Sequence, residues 1–124
     1  MSGPLRVLLV EDEVINAMGL ALELRNAGMD VYRTVTTGEA AVEEVVAAPP
    51  DVVLLDVRLA GKIDGMEAAR RIRAAGPVPI IFMTGYPDQD LVDQARAINA
   101  LGYLIKPIVM PELFSLLDRV PRRS

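Results

Sequence analysis

Five short apolar runs, each followed by a longer segment of helical period, constrain what this chain can fold into. The runs are Leu5–Val10, Asp30–Val35, Asp51–Leu55, Val78–Met83 and Gly102–Ile105. Gly, Pro and Asp bound them, as strand ends require. Between them, apolar residues recur every three or four positions. Ile15, Met18 and Leu22 mark the expected inner face of the first helix, and Val42, Val45 and Val46 that of the second. Met66, Ala69 and Ile72 mark the third, Leu91, Ala95 and Ile98 the fourth, and Leu113, Leu116, Leu117 and Val120 the last. Gly28 and Gly76-Pro77 supply stop signals, and Pro111 suits the first turn of the final helix.

A strand followed by a helix, five times over, closes as a parallel sheet with helices on both faces. The first, third and fourth runs are nearly all apolar and suit central strands, whereas "DVYRTV" carries polar residues and suits an edge. The expectation is one α/β domain over residues 1–124, a flavodoxin-like doubly wound (βα)5 fold with strand order 2-1-3-4-5.

Composition removes several chemistries. The 124 residues include no Cys and no His, which excludes disulfides, thiolate nucleophiles, Ser-His-Asp triads and the usual zinc sites. A net charge of −4 argues against nucleic acid as the main partner. Each apolar run is too short to span a membrane. The first residues lack the basic and apolar regions of a secretory signal, so a cytoplasmic location is expected.

The chemistry collects where the strands end. Glu11, Asp12 and Glu13 follow the first strand, Asp56 the third, Thr84 and Gly85 the fourth, and Lys106 and Pro107 the fifth. In the expected order these four strands are neighbours, and open α/β sheets bind ligands in that crevice. Like charges about 4 Å apart repel by roughly 4 kcal/mol at an effective dielectric of about 20, so three acids against one Lys call for a cation. A hard divalent ion with oxygen ligands, Mg²⁺ or alternatively Mn²⁺, answers that need. Such a set reads as a phosphoryl-transfer site, with Asp56 as nucleophile and Lys106 and Thr84 on the phosphoryl oxygens. Each residue also has an ordinary reading. Asp12 suits a helix cap, Asp56 a loop, Thr84 a strand end, Lys106 a snorkelling side chain and Tyr103 a core aromatic. Arg70, Arg71 and Arg73 read as a solvated helix face. The ordinary readings of the site residues must all hold at once, at four adjacent strand ends.

The chain resembles the receiver domain of bacterial two-component response regulators, of the chemotaxis-regulator type, over essentially its whole length. The matching stretches are "LLVEDE" with Glu11-Asp12, "VVLLDVRL" with Asp56, "IFMTGY" with Thr84, and "GYLIKP" with Tyr103, Lys106 and Pro107. The resemblance implies that Asp12 binds the metal directly, Glu11 mainly through water, and that Asp56 and the Arg58 backbone carbonyl complete the protein ligands. It implies a phospho-acceptor switch, not an enzyme acting on a separate substrate. The donor would be a phosphohistidine on a sensor histidine kinase or phosphotransfer protein, the output a downstream effector protein. The receiver would catalyse its own phosphorylation and often its own dephosphorylation. Thr84 and Tyr103 would form the switch, changing the face made by the fourth helix, fifth strand and fifth helix. The Lys106–Pro107 bond would be cis. No direct contact with nucleic acid or membrane is implied, and a phosphorylation-dependent dimer is left open.

Two features depart from the commonest pattern. The loop "VRLAGKID" is one residue longer than usual, with Ala60 near the usual proline, although Asp64-Gly65 still fits. Arg58 and Tyr86 are bulky where the family tunes access of the hydrolytic water, which predicts slow dephosphorylation. A competing class, the haloacid-dehalogenase-type phosphohydrolases, needs a second acid two residues after the nucleophile, where this chain has Arg58. A receiver that binds partners without phosphorylation is disfavoured by the intact Asp12, Asp56, Thr84 and Lys106 set.

Overall fold

A computed structural model describes residues 3–121. Strands and helices alternate without exception: β1 (Arg6–Val10), α1 (Val14–Asn26), β2 (Asp30–Val35), α2 (Gly38–Ala47), β3 (Val52–Asp56), α3 (Gly65–Ala75), β4 (Ile80–Thr84), α4 (Gln89–Ala97), β5 (Gly102–Ile105) and α5 (Met110–Leu117). The strands form one parallel sheet in the order β2-β1-β3-β4-β5, as the alternation predicts. No helix among the described residues is long and apolar enough to cross a membrane.

Side chains alternate across the pleat and divide the core in two. Val7, Leu9, Val52, Leu54, Ile81 and Met83 point to one face, where α1 and α5 cover them. Leu8, Val10, Val53, Leu55, Ile80 and Phe82 point to the other, under α2, α3 and α4. β3 and β4 are buried along their whole length, the mark of central strands enclosed on both faces. Each fully buried leucine contributes about 2 kcal/mol of transfer free energy.

The expected inner faces of α3, α4 and α5 are the observed ones. That of α1 is not. Ala17, Ala21 and Leu24 face the sheet, while Val14, Ile15, Met18 and Leu22 lie on the solvent side, Ile15 at 85% exposure. Two apolar stripes share the helical period here. The small one faces inward because alanine lets the helix axis approach the strands closely. In α2, likewise, Ala41 and Val45 are buried and Val46 faces out.

Helix starts follow capping chemistry. Thr37, Asp64 and Asp88 each accept a backbone N–H from the first turn that follows, at 3.1, 2.8 and 2.8 Å. Asp12 is not a cap: the N-cap position of α1 is Glu13, which makes no side-chain capping bond. Gly28 ends α1 with φ of +92°, the left-handed conformation that glycine adopts freely. Arg73 does not belong to a solvated face. Its guanidinium donates to the carbonyls of Ile98, Asn99 and Val78, binding α3 to the end of α4.

Candidate functional site

The two central strands carry their chemistry as their final residues. Asp56 is the last residue of β3 and is still in register with Met83; Thr84 is the last of β4, paired with Ile105. Both strands thus run one residue further than the apolar runs suggest. Glu11 follows β1 directly, its N–H donating to Val35 O at 3.0 Å. The Lys106 N–H donates to Thr84 O at 2.7 Å, which fixes the start of the segment after β5. The Lys106–Pro107 bond is cis, as the resemblance implies.

Glu11 and Asp56 are both buried to 4% exposure and are satisfied in the same way. One carboxylate oxygen of each accepts from the Lys106 ammonium, at 3.0 Å from Glu11 Oε1 and 2.5 Å from Asp56 Oδ2. The other oxygen accepts the backbone N–H two residues on: Glu13 to Glu11 Oε2 at 3.2 Å and Arg58 to Asp56 Oδ1 at 3.0 Å. Among the described residues no buried side-chain polar atom lacks a partner. Burial alone would push the Lys106 ammonium down, but hydrogen bonds and charge from Asp56 and Glu11 outweigh it and hold its pKa above the usual lysine value.

Asp12 joins these two acids on the solvent side. Glu11, Asp12 and Asp56 each offer an oxygen, all within 4.8 Å of one another. Three carboxylates against one ammonium leave a charge deficit that a divalent cation would cancel. The donors are all hard oxygens, which suits Mg²⁺ or Mn²⁺ and not a thiolate-seeking metal.

The remaining predicted residues lie around this centre. The Thr84 hydroxyl is buried and donates to the Tyr86 carbonyl at 3.2 Å, while the Tyr86 N–H donates back to Thr84 Oγ1 at 3.1 Å. Its oxygen is therefore engaged by the β4–α4 turn and not by Asp56. Tyr103 sits on the edge strand β5 at 39% exposure. Arg58 and Tyr86 are exposed and line one cleft with Thr84.

The β3–α3 loop, Val57 to Asp64, is tied at both ends. At its base the Gly65 N–H donates to Val57 O at 2.9 Å and the Val57 N–H to Met83 O at 3.0 Å. Gly65 is obligatory there, since a Cβ would overlap the Asp56 carbonyl oxygen. At its far end the loop leans on α2. Thr37 and Ala60 form an isolated parallel bridge. The Glu39 carboxylate accepts the N–H groups of Lys62 and Ile63 at 3.3 and 3.2 Å. Sequence reasoning missed Glu39, because its partners lie 23 and 24 residues away and nothing local marks it.

Known proteins resemble this chain in sequence and in fold. Residues 7–118 match the response regulator receiver domain family. The transcriptional regulatory protein PdtaR of Mycobacterium tuberculosis is 37% identical over 118 residues, covering 95% of this chain and 54% of PdtaR. ZraR of Escherichia coli, also a transcriptional regulatory protein, is 33% identical over 114 residues, 91% of this chain and 25% of ZraR. The chain thus spans about half or less of these relatives. Among solved structures, the signal receiver domain of a modulated diguanylate cyclase from Desulfovibrio desulfuricans superposes with a TM-score of 0.86 at 35% identity, covering 94% of this chain and 93% of that one. The receiver domain of a Pseudomonas aeruginosa sensor histidine kinase superposes with a TM-score of 0.84 at 33% identity, over 95% of this chain and 98% of that one; it holds a magnesium ion coordinated in its active-site cleft. With its motifs at four adjacent strand ends, its strand order and these matches, the chain belongs to the response regulator receiver domain family.

Proposed function

We propose that this chain is a magnesium-dependent phospho-acceptor switch in two-component signalling, a single receiver domain over residues 1–124 with Asp56 as the acceptor. The observation that carries the reading is the Asp56 carboxylate. It is buried at the end of a central strand, paired with Lys106, and has an oxygen within 4.8 Å of oxygens of Glu11 and Asp12.

Asp12, Asp56 and the Arg58 carbonyl would hold the metal, with Glu11 acting mainly through water. Bound there, the cation would supply charge neutralisation for the phosphoryl oxygens. Asp56 attacks the phosphorus of a phosphohistidine on a sensor histidine kinase or phosphotransfer protein. An O–P bond forms, the P–N bond breaks, and the imidazole leaves with the electron pair. Lys106 then turns from the Asp56 carboxylate to the phosphoryl oxygens. Thr84 exchanges its bond to the Tyr86 carbonyl for one to the phosphoryl group, and Tyr103 moves with it. That exchange biases the α4, β5 and α5 face toward a downstream effector protein. Moving a two-state equilibrium from about 1:99 to 99:1 takes roughly 5.5 kcal/mol, which a group of nearly two charges held this way can supply in large part. Arg58 and Tyr86 restrict the approach of water and slow autodephosphorylation. The reading places the protein in the cytoplasm, without direct binding to nucleic acid or membrane, and allows a dimer on phosphorylation.

The test is labelling with a small phosphodonor and Mg²⁺, read by intact mass. One phosphoryl group should be gained, and lost with chelator or in Asp56→Asn. Undiminished labelling of that variant would place the acceptor elsewhere.

A further inference from the structure

We infer that Glu39 is a positioning residue for the metal-binding loop: its carboxylate clasps the N–H groups of Lys62 and Ile63 and so helps fix where the Arg58 carbonyl points. The inference rests on the metal site proposed above and adds a residue from a different helix to it.

The β3–α3 loop begins immediately after the acceptor. Its near end is fixed by the Arg58 N–H on Asp56 Oδ1 and by the Val57–Gly65 bond. Arg58 and Leu59 therefore lie between that anchor and the next, the Thr37–Ala60 bridge. Beyond Ala60 the chain turns through Gly61, whose φ is +104°. The turn brings the backbone so close to α2 that a Cβ on Gly61 would stand 3.0 Å from Glu39 Oε2. The two N–H groups that follow, of Lys62 and Ile63, both point at the Glu39 carboxylate. The Ile63 side chain packs over Gly38, where a Cβ would come within 2.8 Å of Ile63 Cγ1.

These contacts form a second fixed point for a loop in which Arg58, Ala60, Gly61, Lys62 and Asp64 are exposed while Val57, Leu59 and Ile63 pack against the core. A carboxylate accepting two adjacent backbone N–H groups, one on each oxygen, is a directional, charge-assisted anchor. Freeing it releases the loop from Gly61 to Ile63 and leaves the far side of the Arg58 carbonyl to the Thr37–Ala60 bridge, without the carboxylate behind it. Carbonyl ligands hold a metal well only when their direction is fixed in advance. Loss of a partner bonded directly to a metal ligand commonly weakens metal binding by about 10- to 100-fold, and Glu39, which bonds Lys62 and Ile63 and not Arg58 itself, belongs at the low end.

The experiment compares wild type with Glu39→Gln and Glu39→Ala. Amide hydrogen exchange at Lys62 and Ile63 is measured in the metal-free protein, and Mg²⁺ affinity by calorimetric titration. Both amides should exchange faster in Glu39→Ala, with Glu39→Gln between it and wild type because one acceptor oxygen remains. The Mg²⁺ dissociation constant should rise about tenfold in Glu39→Ala, at the low end expected for an outer partner. Faster exchange with unchanged Mg²⁺ affinity overturns the positioning role, and unchanged exchange overturns the clasp itself. Asp12→Asn is the control for the underlying reading. If it binds Mg²⁺ as wild type does, the metal site is wrong; if it loses Mg²⁺ while the Glu39 variants keep it, only the present inference fails.

Discussion

Replacing Lys106 by Met isolates the electrostatics of the site, because Met keeps most of the stem and removes the charge. The ammonium bridges Glu11 and Asp56, two carboxylates each 4% exposed. Removing one partner of a fully buried ion pair costs about 3–5 kcal/mol, since the other charge stays behind unpaired. The Lys106 side chain keeps 26% of its exposure, so water softens the loss, and about 2–3 kcal/mol is the expected cost. For a domain of this length 1 kcal/mol corresponds to about 4 °C, which places the melting temperature of Lys106→Met about 10 °C below wild type in chelator. A ligand that binds only the folded state, at 100 times its dissociation constant, adds about 2.7 kcal/mol. Saturating Mg²⁺ should therefore restore most of the loss, and stabilise the variant more than the wild type. Calorimetric melts with chelator and with Mg²⁺ measure both effects. If Lys106→Met melts within about 2 °C of wild type in chelator, the ammonium is not the counter-ion of these acids and the reasoning fails.

Gly65→Ala forces a Cβ onto the backbone of Asp56 and Val57, where no side chain can yield. The expected cost is about 1–3 kcal/mol in a urea melt, with slower phosphoryl labelling of the displaced acceptor. Arg73→Met removes a guanidinium from the Ile98 and Asn99 carbonyls at the end of α4 and from the Val78 carbonyl before β4. It should cost about 1–2 kcal/mol and speed amide exchange around Ala100; unchanged exchange there would refute the latch. The Lys62 N–H, with that of Ile63, holds the Glu39 carboxyl below the usual carboxylate range. A lowered folded pKa means that the clasp stabilises the loop above the ordinary value of about 4.3 and is lost as pH falls through the lower folded value. The Lys62 and Ile63 amide signals should therefore titrate below that value, and a midpoint at or above it would contradict the clasp.

The fold and the central acids were legible because both follow from local pattern. Alternating runs and helical segments specify the sheet, and strand ends carry the residues that leave it. Asp56, Glu11, Asp12 and Lys106 meet because their strands are adjacent. What depended on side-chain size was less legible. In α1 the period alone fits either stripe, and close packing of Ala17 and Ala21 decides for the less hydrophobic one. What depended on distant partners was not legible at all. Glu39 reads as an ordinary first-turn acid until the β3–α3 loop folds back over α2, and Arg73 as a surface charge until three carbonyls converge on it. The direction of the Thr84 hydroxyl, toward Tyr86, is likewise set by the turn and not by residue type.

The central strand β3 is hydrogen-bonded on both edges and covered on both faces. Bending it would break two ladders and open both halves of the core, so its backbone belongs to the last part of the molecule to yield. A charge added at its tip meets a stiff mount and does little work on that mount. The displacement goes instead into the turns suspended beside it, which lets the domain take up a new group without loosening the framework that presents it.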